Sequence, residues 1–185
     1  MDEESLRAVT IGELTPYATK VVVEDYNPEW PTWFEQDRAG IESALGEVAL
    51  SVAHTGSTSV PGLPAKPIID VLLQVPDSTD EPSYLPALEA AGYTLRIREQ
   101  HLEHRCLHRR GEPHDVNLHV YSPCHAQVEI GRMLRFRDWL RTNVDDRNRY
   151  AATKRELSTK NWRYVQDYAD AKTEIVEAIL AKSLP

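Results

Sequence analysis

At 185 residues, with 41% apolar and 27% charged residues, the chain is long enough to bury a core of its own, and its composition is that of a soluble globular protein. A formal net charge of −8 argues against general nucleic-acid binding and leaves a local basic patch as the route to any phosphate. Cys106 and Cys124 form neither a disulfide framework nor a zinc motif, no apolar run approaches transmembrane length, and the acidic Met1-Asp2-Glu3-Glu4 start is unlike a signal peptide. A cytoplasmic protein with reduced, inert thiols is expected.

In chain order, residues 1–20 lack periodicity and read as an N-terminal arm. Val21, Val22 and Val23 suggest a short first strand, and Asn27-Pro28 a helix start with Asn as N-cap and Pro at N1. Trp30, Trp33, Phe34, Ile41, Ala44 and Leu45 then recur at helical spacing, which places both tryptophans in the core rather than on a base. Residues 49–53 predict a strand entering a Gly/Ser/Thr-rich loop, and residues 67–75 the strand that leaves it. Residues 83–91 read as a short helix stopped by Gly92. Residues 93–97 and 103–109 are strand candidates joined by a polar turn. Asp115–Tyr121 is the cleanest alternating segment, with Val116, Leu118 and Val120 on one face and Asp115, Asn117, His119 and Tyr121 on the other. From about Gln127 the pattern turns helical: a stripe of Met133, Leu134, Phe136 and Leu140, a second helix capped by Asp145 or Asp146, and a last one over residues 162–182 with Val165, Tyr168 and Ile175 inward.

The chemistry concentrates between His54 and Leu73. Gly56, Ser57, Thr58 and Ser59 offer backbone N–H groups and hydroxyls that can wrap an anion, and Lys66 adds a cation. Asp70 stands alone in Ile68-Ile69-Asp70-Val71-Leu72-Leu73, a run that otherwise reads as a strand buried on both faces. An acid there must be paired, hydrogen-bonded or bound to a metal. A salt bridge to Lys66 or an arginine is its structural alternative, as turn completion is for Ser57. If the Asp115–Tyr121 strand lies beside it, Asp115, Asn117 and His119 share a face with Asp70, and Glu103-His104-Arg105 can add an acid, a base and a cation. On the helices, Arg135, Lys154 and Lys172 can reach across the cleft, with surface lysines and arginines as the plainer reading. His101, His108, His114 and His125 lack ligand spacing and read as surface residues.

No P-loop or G-x-G-x-x-G pattern is present. A Gly-Ser pair followed after 13 residues by an acid on an apolar strand instead resembles the nucleotidyltransferase superfamily. The run His54-Thr-Gly-Ser-Thr-Ser-Val-Pro-Gly-Leu-Pro-Ala-Lys-Pro-Ile-Ile-Asp70 is similar to the signature of the GrpB family within it. Agreement continues in Tyr26-Asn27-Pro28-Glu29-Trp30, Asn117-Leu-His-Val-Tyr121, Phe136-Arg-Asp-Trp-Leu-Arg141, Tyr150-Ala-Ala-Thr-Lys-Arg-Glu-Leu157 and Tyr168-Ala-Asp-Ala-Lys172. The resemblance implies an α+β fold, a nucleotidyltransferase-like mixed sheet with flanking helices over residues 21–126 and a helical subdomain over 127–185.

It also implies ATP or another NTP as ligand with Mg²⁺ or Mn²⁺, and transfer of a nucleoside monophosphate to an unidentified acceptor. Asp70 would bind metal, Asp115 or His119 would complete its sphere or serve as base, and His104 would assist. Gly56, Ser57, Thr58, Ser59, Lys66, Arg135, Lys154 and Lys172 would hold the nucleotide. The second acid usual on the metal strand is replaced by Leu72. This leaves open a catalytically silent nucleotide or anion binder, and a metal-assisted enzyme built on Asp70, His104 and His119 that acts on another substrate.

Overall fold

The computed structural model describes residues 2–14, 16 and 20–183. Helix α1 (Glu3–Val9) is followed by α2 (Trp30–Leu45), β1 (Ser51–Thr55), β2 (Ile68–Gln74), α3 (Leu85–Ala90), β3 (Thr94–Glu99), β4 (His104–Arg109) and β5 (Asp115–Tyr121). Helices α4 (Pro123–Thr142), α5 (Val144–Ser158), α6 (Val165–Asp170) and α7 (Thr173–Leu180) complete the chain. The five strands form one mixed sheet in the order β1-β2-β5-β4-β3, in which β2 and β5 are parallel and the other pairs antiparallel. This is an α+β architecture. Among the described residues no helix is long and apolar enough to cross a membrane.

Strand alternation sorts the sheet's two faces. Ile69, Val71 and Leu73 of β2 stand beside Val116, Leu118 and Val120 of β5, and this apolar face packs on Trp30, Phe34, Ile41 and Leu45 of α2 and on Leu88 of α3. The opposite face carries Asp70, Leu72, Asn117, His119 and Tyr121, and α4 covers its Leu72–Tyr121 end through Ala126 and Ile130. The Asp70 end stays uncovered by that cluster. A second apolar cluster joins Val60 and Leu63 of the β1–β2 loop to Leu140, Tyr150, Ile175 and Ile179 of the C-terminal helices. The loop is therefore packed between sheet and helices rather than hanging free.

Several boundaries move from the sequence expectation. Residues 21–23 form no strand; the nearby Glu24 makes an isolated bridge to Ala65 of the β1–β2 loop. The N-terminal arm contains α1, and Thr10 bridges Ile97 on the β3 edge; residues 1, 15 and 17–19 of that arm lie outside the described residues. Helix α2 starts at Trp30 with Pro31 in its first turn, since Asn27 spends its side chain on the Glu29 N–H at 2.9 Å. Asp145 and Asp146 lie inside the first turn of α5, not at its cap, where they still favour the N-terminal dipole. The last helix is split at Ala171 and Lys172 into α6 and α7, and Val165 is exposed rather than inward.

Helix α2 also buries an acid, Asp37, on its apolar stripe. Its carboxylate is answered from the sheet side by Arg109 at 2.5 Å and His114 at 2.8 Å. Trp33 stacks on His114 with ring centroids 4.9 Å apart. His114 is thus an interior residue, contrary to its surface reading, because a buried carboxylate requires partners.

Candidate functional site

The β1–β2 loop is tied down before any ligand is considered. Gly56 has φ +65° and ψ −170°, a backbone region that is essentially glycine-only. A Cβ built there would overlap Asp70 Oδ2 and come within 2.8 Å of its Cγ, so the turn lies directly against the carboxylate. Ser59 Oγ donates to the Gly56 carbonyl at 2.6 Å and Thr58 Oγ1 to the Ile68 carbonyl at 3.3 Å. With its hydroxyl hydrogen engaged, Thr58 accepts from His54 Nε2 at 3.0 Å. His54 stays neutral, since burial pushes its pKa down to about 4. From α4, Arg137 donates to the His54 carbonyl and Arg141 to the Ser59 carbonyl, both at 3.0 Å. Thr58 and Ser59 therefore shape the loop, while Ser57 meets Tyr150 of α5.

The register β2–β5 sets Asp70 opposite Asn117. Asn117 Nδ2 donates to Asp70 Oδ1 at 2.8 Å, and its Oδ1 accepts from Arg110 at 2.6 Å, which fixes the amide's orientation. His119 Nε2 lies 3.9 Å from Oδ1, an ion-pair separation rather than a hydrogen bond. Burial alone would raise the Asp70 pKa, but His119, Asn117 and the charge of Lys172 outweigh it and hold the carboxyl below its ordinary value. Asp70 is a carboxylate.

Cations surround it. Burial lowers the pKa of Lys66, of Lys172 to about 8, and of Lys154 to about 6, while the Asp70 charge works in the opposite direction on all three. Lys154 is 2% exposed, donates to the Pro64 carbonyl and sits over the Tyr150 ring at 4.8 Å. It is an interior lysine bound to the loop, not a surface one. Lys172 sits over Tyr168 at 4.4 Å. The break between α6 and α7 falls at this residue.

Other expected residues lie elsewhere. Asp115 starts β5 on the Asp70 face, but it accepts the Gly111 N–H at 2.9 Å and faces Arg110 at 3.8 Å. Arg135 is exposed, and its guanidinium folds back over Gly131. Of the 103–105 triplet only His104 faces the site. Arg105 is on the opposite face, bound to Glu81 at 2.5 Å, and Glu103 sits in the β3–β4 turn with φ 51°. His104 Nε2 is 3.1 Å from His119 Nδ1, and its ring stacks on Tyr121 at 4.5 Å. His108 is half-buried on the same β4 face, and burial first, then Arg110, takes its pKa down to about 3. Arg110 was not singled out from the sequence, and Arg137, Arg141 and Tyr150 lie in family-like stretches without an assigned role, because nothing local shows which carbonyl, amide or hydroxyl a side chain will meet.

A separate cleft of about 330 Å³ opens beyond the loop, lined by Phe34, His54, Ser59 and Arg141 among others. Neither Asp70 nor His119 lines it.

A mixed five-stranded sheet whose central parallel pair presents one carboxylate to a glycine turn, ringed by lysines, defines an α+β protein with its polar site at the loop–helix junction. Residues 20–182 match the GrpB protein family, and the chain belongs to it. It is 53% identical over 182 residues to a UPF0157 protein of Halalkalibacterium halodurans, covering 98% of this chain and 91% of that one. The crystal structure of the conserved protein GrpB from Enterococcus faecalis superposes with a TM-score of 0.77 at 31% identity, covering 88% of this chain and 96% of the other. A dephospho-CoA kinase of Mycolicibacterium paratuberculosis is 29% identical over 159 residues, covering 72% of this chain and 39% of that protein.

Proposed function

We propose that this protein binds a nucleoside triphosphate, ATP or a related NTP, with its phosphates at the Gly56–Ser57 turn. The observation that carries the reading is the charge balance around Asp70: one carboxylate pressed against a glycine turn, with the two lysines Lys66 and Lys172 within electrostatic reach. In a chain of net charge −8, such a local excess of cations suits a polyanion. Ser57 and the turn's N–H groups supply donors, and Lys66 and Lys172 supply charge. Lys154, held by Pro64, keeps the loop in place. That a dephospho-CoA kinase includes a related segment is consistent with a phosphate ligand.

The side chains fit one Mg²⁺ brought in on the phosphates, which needs no more than one or two carboxylates from the protein. Asp70 would hold it, and the ion would offset phosphate charge. They do not fit a two-acid centre: Leu72 is fully buried, and Asp115 is engaged with Gly111 and Arg110. Binding without turnover is therefore the favoured reading. Transfer of a nucleoside monophosphate, with release of pyrophosphate, is the finer alternative.

Calorimetric titration with ATP, GTP, CTP and UTP in the presence of Mg²⁺ tests the proposal. Saturable 1:1 binding that weakens at least tenfold in Lys66→Ala and Ser57→Ala supports it. Absence of binding for all four, or binding unaffected by both changes, overturns it. Pyrophosphate release during incubation separates a transferase from a silent binder.

A further inference from the structure

We propose a second, separate site: a zinc-class transition-metal site formed by His104, Cys106 and His119. His104 and Cys106 are two residues apart on β4 and so share a face, and the antiparallel register sets His119 of β5 directly opposite Cys106. One donor atom from each lies within 4.8 Å of the other two. His104 Nε2 and His119 Nδ1 are 3.1 Å apart. Two imidazole nitrogens at about 2.0–2.1 Å from a tetrahedral zinc are about 3.3 Å from one another, so this pair already has nearly the spacing that a metal requires.

The outward-facing nitrogens strengthen the assignment. His104 Nδ1 faces Glu99 Oε2 at 3.5 Å, and His119 Nε2 faces Asp70 Oδ1 at 3.9 Å. Each imidazole thus has a carboxylate beside the nitrogen that would not bind metal, the arrangement that fixes a ligating tautomer. In the metal-free chain one proton lies between His104 Nε2 and His119 Nδ1; metal binding would release it to solvent together with the Cys106 thiol proton, leaving both inner nitrogens as lone-pair donors and each remaining N–H on the side of its acid. His104 is 8% exposed and Cys106 2%, while the His119 side chain is 23% exposed, so a fourth coordination position opens on the His119 side. A two-nitrogen, one-thiolate set suits a borderline-soft divalent ion and not the hard Mg²⁺ of the phosphate site. Asp70 lies between the two, with Oδ1 toward His119 and Oδ2 toward the Gly56 turn.

Cobalt(II) titration of the untagged, chelator-treated full chain reads the site directly. The expected result is a 1:1 complex with an intense near-ultraviolet thiolate-to-cobalt band and visible bands of tetrahedral cobalt, displaced by zinc. Cys106→Ser should remove the near-ultraviolet band, Cys124→Ser should leave it intact, and Glu99→Gln should weaken the metal about tenfold. The proposal is overturned if the wild-type chain shows no thiolate band. It is equally overturned if the band survives Cys106→Ser and disappears with Cys124→Ser, which would locate the metal at the exposed cysteine. Because the wild-type spectrum decides by itself, a variant that fails to fold does not rescue the idea. Nucleotide titration of Cys106→Ser keeps the two sites distinguishable: phosphate binding should persist when cobalt binding is lost.

Discussion

Gly56→Ala is the sharpest probe of the loop. The φ of +65° with ψ of −170° is available to glycine and not to alanine, which costs about 1–3 kcal/mol where the backbone is held in place. Relief by sliding the loop is opposed by Arg137 and Arg141, which grip the His54 and Ser59 carbonyls from α4. The new methyl would overlap Asp70 Oδ2 and crowd its Cβ and Cγ, both at 2.8 Å, so the carboxylate must also swing away from Asn117. Losing a hydrogen bond to a charged group costs about 1.5–3 kcal/mol. Together these give about 2.5–6 kcal/mol, or a midpoint lower by roughly 5–24 °C for a chain of this size. Urea unfolding followed by tryptophan fluorescence and by circular dichroism measures the loss. A companion Asp70→Ala variant removes the Oδ2 and Cγ overlap while leaving the backbone strain. The cost of Gly56→Ala in that background should fall by at least about 1 kcal/mol. A loss under 1 kcal/mol, or a cost unchanged by Asp70→Ala, would refute the close packing of turn and carboxylate.

Lys154 makes stability depend on pH. Its folded pKa near 6 lies below the ordinary lysine value of 10.5, so between those values the unfolded chain holds a proton that the folded chain lacks, and stability rises as pH rises. The contribution is about 1.4 kcal/mol per pH unit in that window, and Lys154→Met should flatten the slope between pH 6.5 and 9; an unchanged slope in denaturant titrations would count against a buried neutral amine. Asp37→Asn should cost about 3–5 kcal/mol in chemical denaturation, because Arg109 would lose the carboxylate that compensates its charge in the interior and His114 its hydrogen-bond partner. A cost within 1 kcal/mol of zero would show that the cluster is not held by its charges.

The alternation of β5, the apolar run broken by Asp70 and the glycine-rich turn before it were legible in the sequence because each depends on neighbours one or two residues away. Strand period alone put Asp70 and Asn117 on the face away from the core, and the parallel register then made them partners at 2.8 Å. The partners of Lys154, Asp37 and His114 were not legible, since Pro64 is 90 positions from Lys154 and Asp37 is 77 from His114. A buried lysine and a surface lysine look alike until the helix that carries one is docked. The strand order β1-β2-β5-β4-β3 decided which polar residues meet. By setting β5 between β2 and β4 it turned one side of His119 toward Asp70 and the other toward His104 and Cys106. Local periodicity determined which way each side chain faces; tertiary register determined what it faces.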